Sequence, residues 1–145
     1  MKKSSIEFED IIGRYLNISV ADENYRIYVE EAGKGIPLLC LHTAGSDGRQ
    51  FRHILNDKKI TKNYRVIAFD LPWHGKSNPP EGYELKDYKL TTSLYKQIIM
   101  SFCDNYKLRD PVIMGCSMGG RVVLHLALEH SNYFKAVIAL EGSDK

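Results

Sequence analysis

The sequence has few of the features that mark specialised classes of protein. Its three cysteines are an odd number without paired spacing, which argues against a disulfide framework and a zinc site. The 20 Lys and Arg residues barely exceed the 18 Asp and Glu residues and form no long basic run, which argues against nucleic-acid binding. No apolar run is long enough to span a membrane, and acidic residues interrupt the start where a signal peptide would be apolar. We therefore expect a cytoplasmic protein without a membrane or nucleic-acid partner and without a metal ion.

What is present is the composition of a globular domain, with 43% apolar and 26% charged residues. Polar and apolar residues alternate at 14–20 and again at 25–30, which predicts a hairpin of two strands. Continuous apolar runs then alternate with amphipathic segments. These predict buried strands at 37–41, 64–69, 112–115 and 135–140, and helices at 49–58, 88–107 and 118–130.

Strict alternation of strands and helices predicts the α/β class, with a mostly parallel sheet and helices on both faces. We expect one domain from residue 14 to residue 145, preceded by an N-terminal arm at residues 1–13. No internal repeat or low-complexity tract interrupts this pattern.

The most informative motif is Gly-x-Ser-x-Gly at residues 115–119, which follows an apolar run and precedes a predicted helix. This order predicts a tight strand-to-helix turn that presents the hydroxyl of Ser117 outside the sheet. Such a turn requires small residues on either side of the serine, and Gly115 and Gly119 supply them. Gly120 gives the helix further room to approach the strand.

Two further motifs follow predicted strands: Leu-His-Thr-Ala-Gly at residues 41–45, and Asp-Leu-Pro-Trp-His-Gly-Lys-Ser at residues 70–77. In this order the three motifs resemble the oxyanion loop, the Asp-x-x-Gly-His-Gly-x-Ser turn and the nucleophile elbow of the α/β-hydrolase superfamily. The resemblance covers about residues 14–142. It implies about six of the eight strands, with the chain truncated before strands 7 and 8. Thr43 and Trp73 depart from the resemblance, because glycine is usual at both positions.

The resemblance implies a serine hydrolase that attacks an ester, thioester, amide or carbon–carbon bond next to a carbonyl. Ser117 would be the nucleophile, and the backbone N–H groups of Met118 and Ala44 would stabilise the oxyanion, with Thr43 as an alternative to Ala44. A serine at the elbow argues against dehalogenase and epoxide hydrolase chemistry, which use an aspartate there in this fold. The resemblance implies no cofactor.

The resemblance also implies an acid and a histidine after the serine, and the histidine would lie beyond Lys145. Some family members place the acid after the sixth strand, where Glu141 stands; the alternative is a solvated residue that ends a strand. His42 and His74 correspond to framework residues that bond loop backbone, although each could instead serve as the base. We therefore expect the isolated chain to be inactive. Two other functions stay open: a non-catalytic binding or assembly protein, and an acyltransferase that uses the same serine.

Partial nucleotide-binding motifs also occur, but each lacks a required glycine. Asp70 stands where a P-loop ending in residues 75–77 would begin with glycine, and Ser117 replaces the middle glycine of a dinucleotide fingerprint. The ligand that the resemblance implies is a small-molecule acyl substrate. Because the sixth strand would leave an open apolar edge, we also expect self-association or a complementing C-terminal half.

Overall fold

The computed structural model describes residues 7–143, and its centre is one sheet. Within these residues the sheet has six strands in the order β1-β2-β4-β3-β5-β6. The strands are β1 Ile12–Val20, β2 Glu23–Ala32, β3 Ile36–Leu41, β4 Tyr64–Phe69, β5 Val112–Cys116 and β6 Ala136–Leu140. The helices are α1 Arg52–Asn56, α2 Lys58–Thr61, α3 Thr92–Asn105 and α4 Met118–Glu129. The predicted α/β class, with six strands in a mostly parallel sheet, is confirmed.

The first two strands form an antiparallel hairpin whose pairing runs from Ile12 opposite Glu31 to Val20 opposite Glu23. The turn consists of Ala21 and Asp22, both with positive φ (49° and 64°), as a two-residue hairpin turn requires. The sequence pattern leaves residues 21–24 between the two strands, so the observed turn is shorter and lies at the start of that gap. Strand β1 likewise begins within the predicted arm of residues 1–13, and the first six residues of that arm lie outside the described residues.

Strands β3, β4, β5 and β6 are mutually parallel, with β3 between β4 and β5. Their carboxyl ends therefore share one edge of the sheet. The loops that carry the three sequence motifs leave the sheet at this edge, after β3, β4 and β5.

The two faces of the sheet are covered by different helices. Apolar residues of β3, β4 and β5 alternate between the faces, so that Leu39 and Ile113 pack with α3 and α4 while Cys40 and Met114 pack with α1. Phe102 of α3 contributes to the first cluster, and burial of these apolar side chains is the main source of stability.

Two predicted helices differ in extent from the observed ones, because capping side chains set the boundaries. The helix expected at residues 49–58 is divided, since Asp57 is extended and its carboxylate accepts a hydrogen bond from the Lys59 N–H (2.8 Å), which starts α2. The helix expected at residues 88–107 begins only after Thr91, whose hydroxyl accepts the Leu94 N–H (3.1 Å).

Strand β6 differs most from its sequence-based description as a buried strand. It forms one end of the sheet, and Ile138 and Leu140 are 40% and 44% exposed. No segment of residues 7–143 pairs with its outer edge. Ile138 pairs in register with Met114, which packs with α1, so these exposed side chains lie on the face of the sheet opposite α4. On α4 itself, Leu128 is 80% exposed.

Candidate active site at the carboxyl ends of β3 and β5

Ser117 is the single residue between the end of β5 and the start of α4. Its backbone has φ 52° and ψ −111°, a conformation that costs a non-glycine residue about 1–3 kcal/mol. The residue is exposed at the carboxyl edge of the sheet. The strain is thus accompanied by a hydroxyl held out of the sheet, as in a nucleophile elbow.

The glycines around Ser117 are required by close backbone contacts. A Cβ at Gly115 would lie 2.2 Å from the carbonyl oxygen of Gly119, and a Cβ at Gly119 would lie 2.6 Å from the carbonyl oxygen of Leu41. A Cβ at Gly120 would lie 2.7 Å from the carbonyl oxygen of Leu140. Side chains at these positions would separate the first turn of α4 from the sheet.

In the backbone of the elbow, the groups of Ser117 are engaged and the Met118 amide is available. The Ser117 N–H donates to the carbonyl of Leu140 (2.8 Å), and the Ser117 carbonyl accepts the Arg121 N–H (2.8 Å). Met118 begins α4, so its N–H has no acceptor within the helix. It lies directly after the serine, at the end of the helix where the dipole favours negative charge.

In the loop after β3, both backbone polar groups of Thr43 are engaged. The Thr43 N–H donates to the side-chain oxygen Oε1 of Gln50 (3.0 Å). The Thr43 carbonyl accepts hydrogen bonds from Nδ1 of His42 (2.8 Å) and from the Ser46 N–H (3.2 Å). The Thr43 N–H is therefore not free to bind an oxyanion.

Of the two N–H groups that the sequence analysis offers in this loop, that of Ala44 remains available. The Ala44 carbonyl lies 3.0 Å from Nε2 of His74, but the Ala44 N–H makes no hydrogen bond to any of residues 7–143. This N–H belongs to the peptide unit whose carbonyl, that of Thr43, is held at two points. Its direction is consequently fixed by groups that the oxyanion itself would not touch.

Gln50 is a residue that the sequence analysis did not identify. It lies in a short 3-10 helix at Gly48–Phe51, seven residues after Thr43. The hydrogen bond between Gln50 and Thr43 depends on the course of the loop between them, and no motif in the sequence predicts this contact.

His42 is a buried framework residue with both ring nitrogens occupied. Nε2 accepts the Leu71 N–H (3.1 Å), and Nδ1 donates to the Thr43 carbonyl (2.8 Å). This pattern requires the neutral ring with its proton on Nδ1. Burial, the largest influence, lowers the pKa of His42 below its usual value of 6.5.

His74 also bonds loop backbone rather than the serine. Nδ1 lies 2.9 Å from the Pro72 carbonyl and Nε2 lies 3.0 Å from the Ala44 carbonyl. It links the loop after β4 to the loop after β3. The ring nitrogens of His42 and His74 thus lie against backbone groups, and within residues 7–143 neither ring forms a hydrogen bond with the Ser117 side chain.

Asp70 organises the loop after β4. Its carboxylate accepts the N–H groups of Gly48 (2.7 Å) and Lys76 (2.7 Å), while its carbonyl accepts the Ser77 hydroxyl (2.6 Å). The Ser77 oxygen in turn accepts the Tyr28 N–H (2.8 Å). The polar residues of this motif therefore hold loops together and do not point to chemistry of their own.

Trp73 has φ 70°, the left-handed conformation that favours glycine. This explains why glycine is usual here and why tryptophan costs about 1–2 kcal/mol. Its ring compensates by packing against Tyr83 (centroids 5.2 Å apart, edge to face) and Tyr88 (5.0 Å).

Glu141 lies at the same edge of the sheet as Ser117. Leu140 pairs in register with Cys116, so Glu141 and Ser117 are the next residues of the two neighbouring strands. Glu141 is exposed and has φ 50°. The structure brings it to the neighbourhood of the serine, where its side chain forms no hydrogen bond or ion pair with residues 7–143.

Two of the three cysteine thiols, those of Cys40 and Cys103, are buried. Burial raises the pKa of the Cys40 thiol to about 12, and the same holds for Cys103. Within residues 7–143, no group of three or more His, Cys, Asp and Glu side chains could hold a metal ion. In the same range, no helix is both long and apolar enough to cross a membrane.

Comparison with known proteins identifies the family of the fold. Residues 36–145 match the family model of the alpha/beta hydrolase fold, and the chain belongs to this family. It is 25% identical over 119 residues to the pimeloyl-[acyl-carrier protein] methyl ester esterase of Vibrio cholerae, covering 82% of this chain and 42% of that protein.

Two solved structures resemble the fold. The N-acyl homoserine lactonase AidH superposes with a TM-score of 0.70 and 28% identity, over 87% of this chain and 44% of the other. The epoxide hydrolase VrEH1 of Vigna radiata superposes with a TM-score of 0.73 and 22% identity, over 90% of this chain and 40% of the other. The chain thus spans less than half the length of these proteins.

Proposed function

We propose that this chain carries the nucleophile and the oxyanion hole of a serine hydrolase. The observation that supports this most directly is the strained, exposed Ser117 at the end of β5, preceded and followed by glycines that tolerate no side chain. Its hydroxyl attacks a carbonyl carbon, and the product of the first step is an ester between Ser117 and the acyl group.

The oxyanion formed in this attack is held by the N–H groups of Met118 and Ala44. The first lies at the start of α4 and the second is an N–H of the loop after β3 that makes no hydrogen bond within residues 7–143. Each such donor contributes about 3–4 kcal/mol to transition-state stabilisation, because it is oriented before the charge develops. The Thr43 N–H takes no part, because it already donates a hydrogen bond to Oε1 of Gln50.

The general base comes from outside residues 7–143. His42 and His74 lie against backbone groups, and His53 lies in α1, which packs on the face of the sheet opposite α4. His125 lies about 12 Å along α4 from Ser117, at 1.5 Å per residue, and His130 lies beyond it. Alone, the 145-residue chain therefore reacts slowly, whereas Glu141 stands where an acid could orient an incoming histidine.

The preferred substrate is an ester, with thioesters, amides and carbon–carbon bonds next to a carbonyl as alternatives. Support comes from the names of two similar proteins, a methyl ester esterase and a lactonase. An aspartate would be expected in place of Ser117 for epoxide or haloalkane hydrolysis in this fold.

The test is labelling with a fluorophosphonate, with and without added imidazole as a substitute base. We expect slow labelling of Ser117 that imidazole accelerates and that Ser117→Ala abolishes. Ser101→Ala, in α3, serves as the matched control and keeps the label. Absence of labelling under all these conditions would favour a non-catalytic binding or assembly protein.

An acyltransferase would use the same serine and the same oxyanion hole. Only the acceptor differs, since an alcohol or thiol replaces water in the second step. Product analysis with an added alcohol separates the two. An acyltransferase is favoured if the alcohol receives a larger fraction of the acyl groups than its concentration relative to water predicts.

We also propose that β6 recruits a further strand, either from a second copy or from a complementing C-terminal half. The unpaired edge of β6 and the exposed Ile138, Leu140 and Leu128 support this.

A further inference from the structure

A cleft of about 500 Å³ adjoins the loop that carries Ala44. Gly45 and Ser46, the residues directly after Ala44, form one wall. His74, whose Nε2 lies 3.0 Å from the Ala44 carbonyl, also lines the cleft. A ligand in this cleft would therefore contact the same loop that supplies the free N–H.

The charged side chains around the cleft leave one positive charge uncompensated. Arg49 is paired with Asp47, because its Nε and Nη2 donate to the carboxylate at 2.9 and 2.7 Å. This pairing lowers the pKa of Asp47 to about 2, so both groups stay charged and compensate each other. The side chain of Arg52 also lines the cleft but makes no hydrogen bond or ion pair with any of residues 7–143.

One flat apolar surface borders this uncompensated guanidinium. Trp73 lines the cleft and is held in place by its contacts with Tyr83 and Tyr88. A guanidinium binds carboxylate and phosphate oxygens in a planar, bidentate manner, and an indole ring accommodates a short carbon chain. The Gln50 amide offers further donors at the same wall, because only its oxygen is used by Thr43.

We propose that this cleft binds an anionic group of the substrate, a carboxylate or a phosphate, with Arg52 as its partner. This proposal rests on the proposed function in so far as it treats the ligand as a substrate. The ester carbonyl lies at the Ala44 N–H, a short carbon chain runs along Trp73, and the negative group lies at Arg52. The substrate class is therefore an ester whose acyl or alcohol part carries a negative charge.

Trp73 allows a direct binding test, because it is the single tryptophan of the chain and lies in the cleft. Its fluorescence is measured while monoethyl succinate, diethyl succinate or inorganic phosphate is added at constant ionic strength. We expect a saturable change with monoethyl succinate and none with the neutral diethyl ester. A change with phosphate alone would assign the site to a phosphate-bearing substrate instead of a carboxylate.

Arg52→Gln should weaken binding of the anion at least tenfold, and Arg52→Lys should restore part of it. Arg109→Gln is the matched control, since Arg109 is exposed at the amino end of β5, away from the cleft. Equal responses to charged and neutral esters, no response to any of the three, or unchanged binding in Arg52→Gln would overturn the proposal. Ser117→Ala should bind the anion normally, so failure of the serine chemistry and failure of this site are distinguishable.

Discussion

The N–H of Ser117 donates to the carbonyl of Leu140 over 2.8 Å. The residue with the strained backbone is thus tied to the last residue of β6, the strand whose outer edge is unpaired. A displacement of β6 would be transmitted to Ser117 through this hydrogen bond. Stability at the edge and geometry at the serine are therefore linked.

The glycine before the serine should tolerate no side chain. Gly115→Ala places a Cβ 2.2 Å from backbone atoms that cannot rotate away, so we expect a loss of about 2 kcal/mol or more in the free energy of unfolding. Chemical denaturation followed by circular dichroism measures it. Gly45→Ala is the control: its Cβ meets no atom within 4 Å, and the change should stay within about 0.5 kcal/mol. Equal losses in both variants would contradict the close approach.

Gln50 should protect the Thr43 amide. Gln50→Leu removes the acceptor, so we expect hydrogen exchange at the Thr43 N–H to accelerate at least tenfold, while the free energy of unfolding changes by less than about 1 kcal/mol. Gln50→Glu keeps an acceptor oxygen and should retain the protection. Gln97→Leu, at an exposed position of α3, is the matched control and should leave Thr43 unchanged. Unchanged exchange in Gln50→Leu would show that the loop is held by other contacts.

Acid should destabilise the fold through His42. Because its pKa is lower in the folded than in the unfolded state, the folded state binds fewer protons, and stability is lost as pH falls below about 6.5. Protonation of Nε2 also removes the acceptor of the Leu71 N–H. NMR of the ring nitrogens should show the proton on Nδ1 at neutral pH and a midpoint below 6.5. A midpoint above 6.5 would reverse the predicted sign.

The edge of β6 should cause self-association of the 145-residue chain. We expect light scattering after size exclusion to show a mass that rises with protein concentration. Ile138→Lys, which adds a charge to the edge strand, should shift the distribution towards the monomer. Leu85→Lys changes an equally apolar but distant residue, 93% exposed, and should have little effect. A wild-type chain that is monomeric at all concentrations would contradict this prediction.

Much of the fold follows from local pattern. The apolar run that includes Leu39 predicts a strand covered on both faces, and the structure places α1 on one face and α4 on the other. The position of Ser117 follows from the two glycines beside it, since close packing of α4 against β5 excludes other residues. Both signals depend on neighbours in the sequence.

The remainder depends on long-range contacts. The partner of the Thr43 N–H is Gln50, and the choice between Ala44 and Thr43 as the free donor requires knowledge of that bond. The exposure of Ile138 is equally invisible in the sequence, because an apolar strand at the end of a sheet has the same composition as a central one. The helix is interrupted at Asp57 because the Asp57 side chain caps α2. The sequence alone does not show whether this residue caps a new helix or continues the first one.

The position of β3 between β4 and β5 has one more consequence. From β3 the chain turns first to one side of the sheet and then crosses to the other, so the loops after β3 and β5 leave in opposite directions. They separate at the topological switch point, and a crevice opens between them whatever side chains line it. Since strand order alone creates the crevice, its lining can diverge without cost to the core. Proteins that share only about a quarter of their residues with this chain can therefore keep the position of the site and change what it binds.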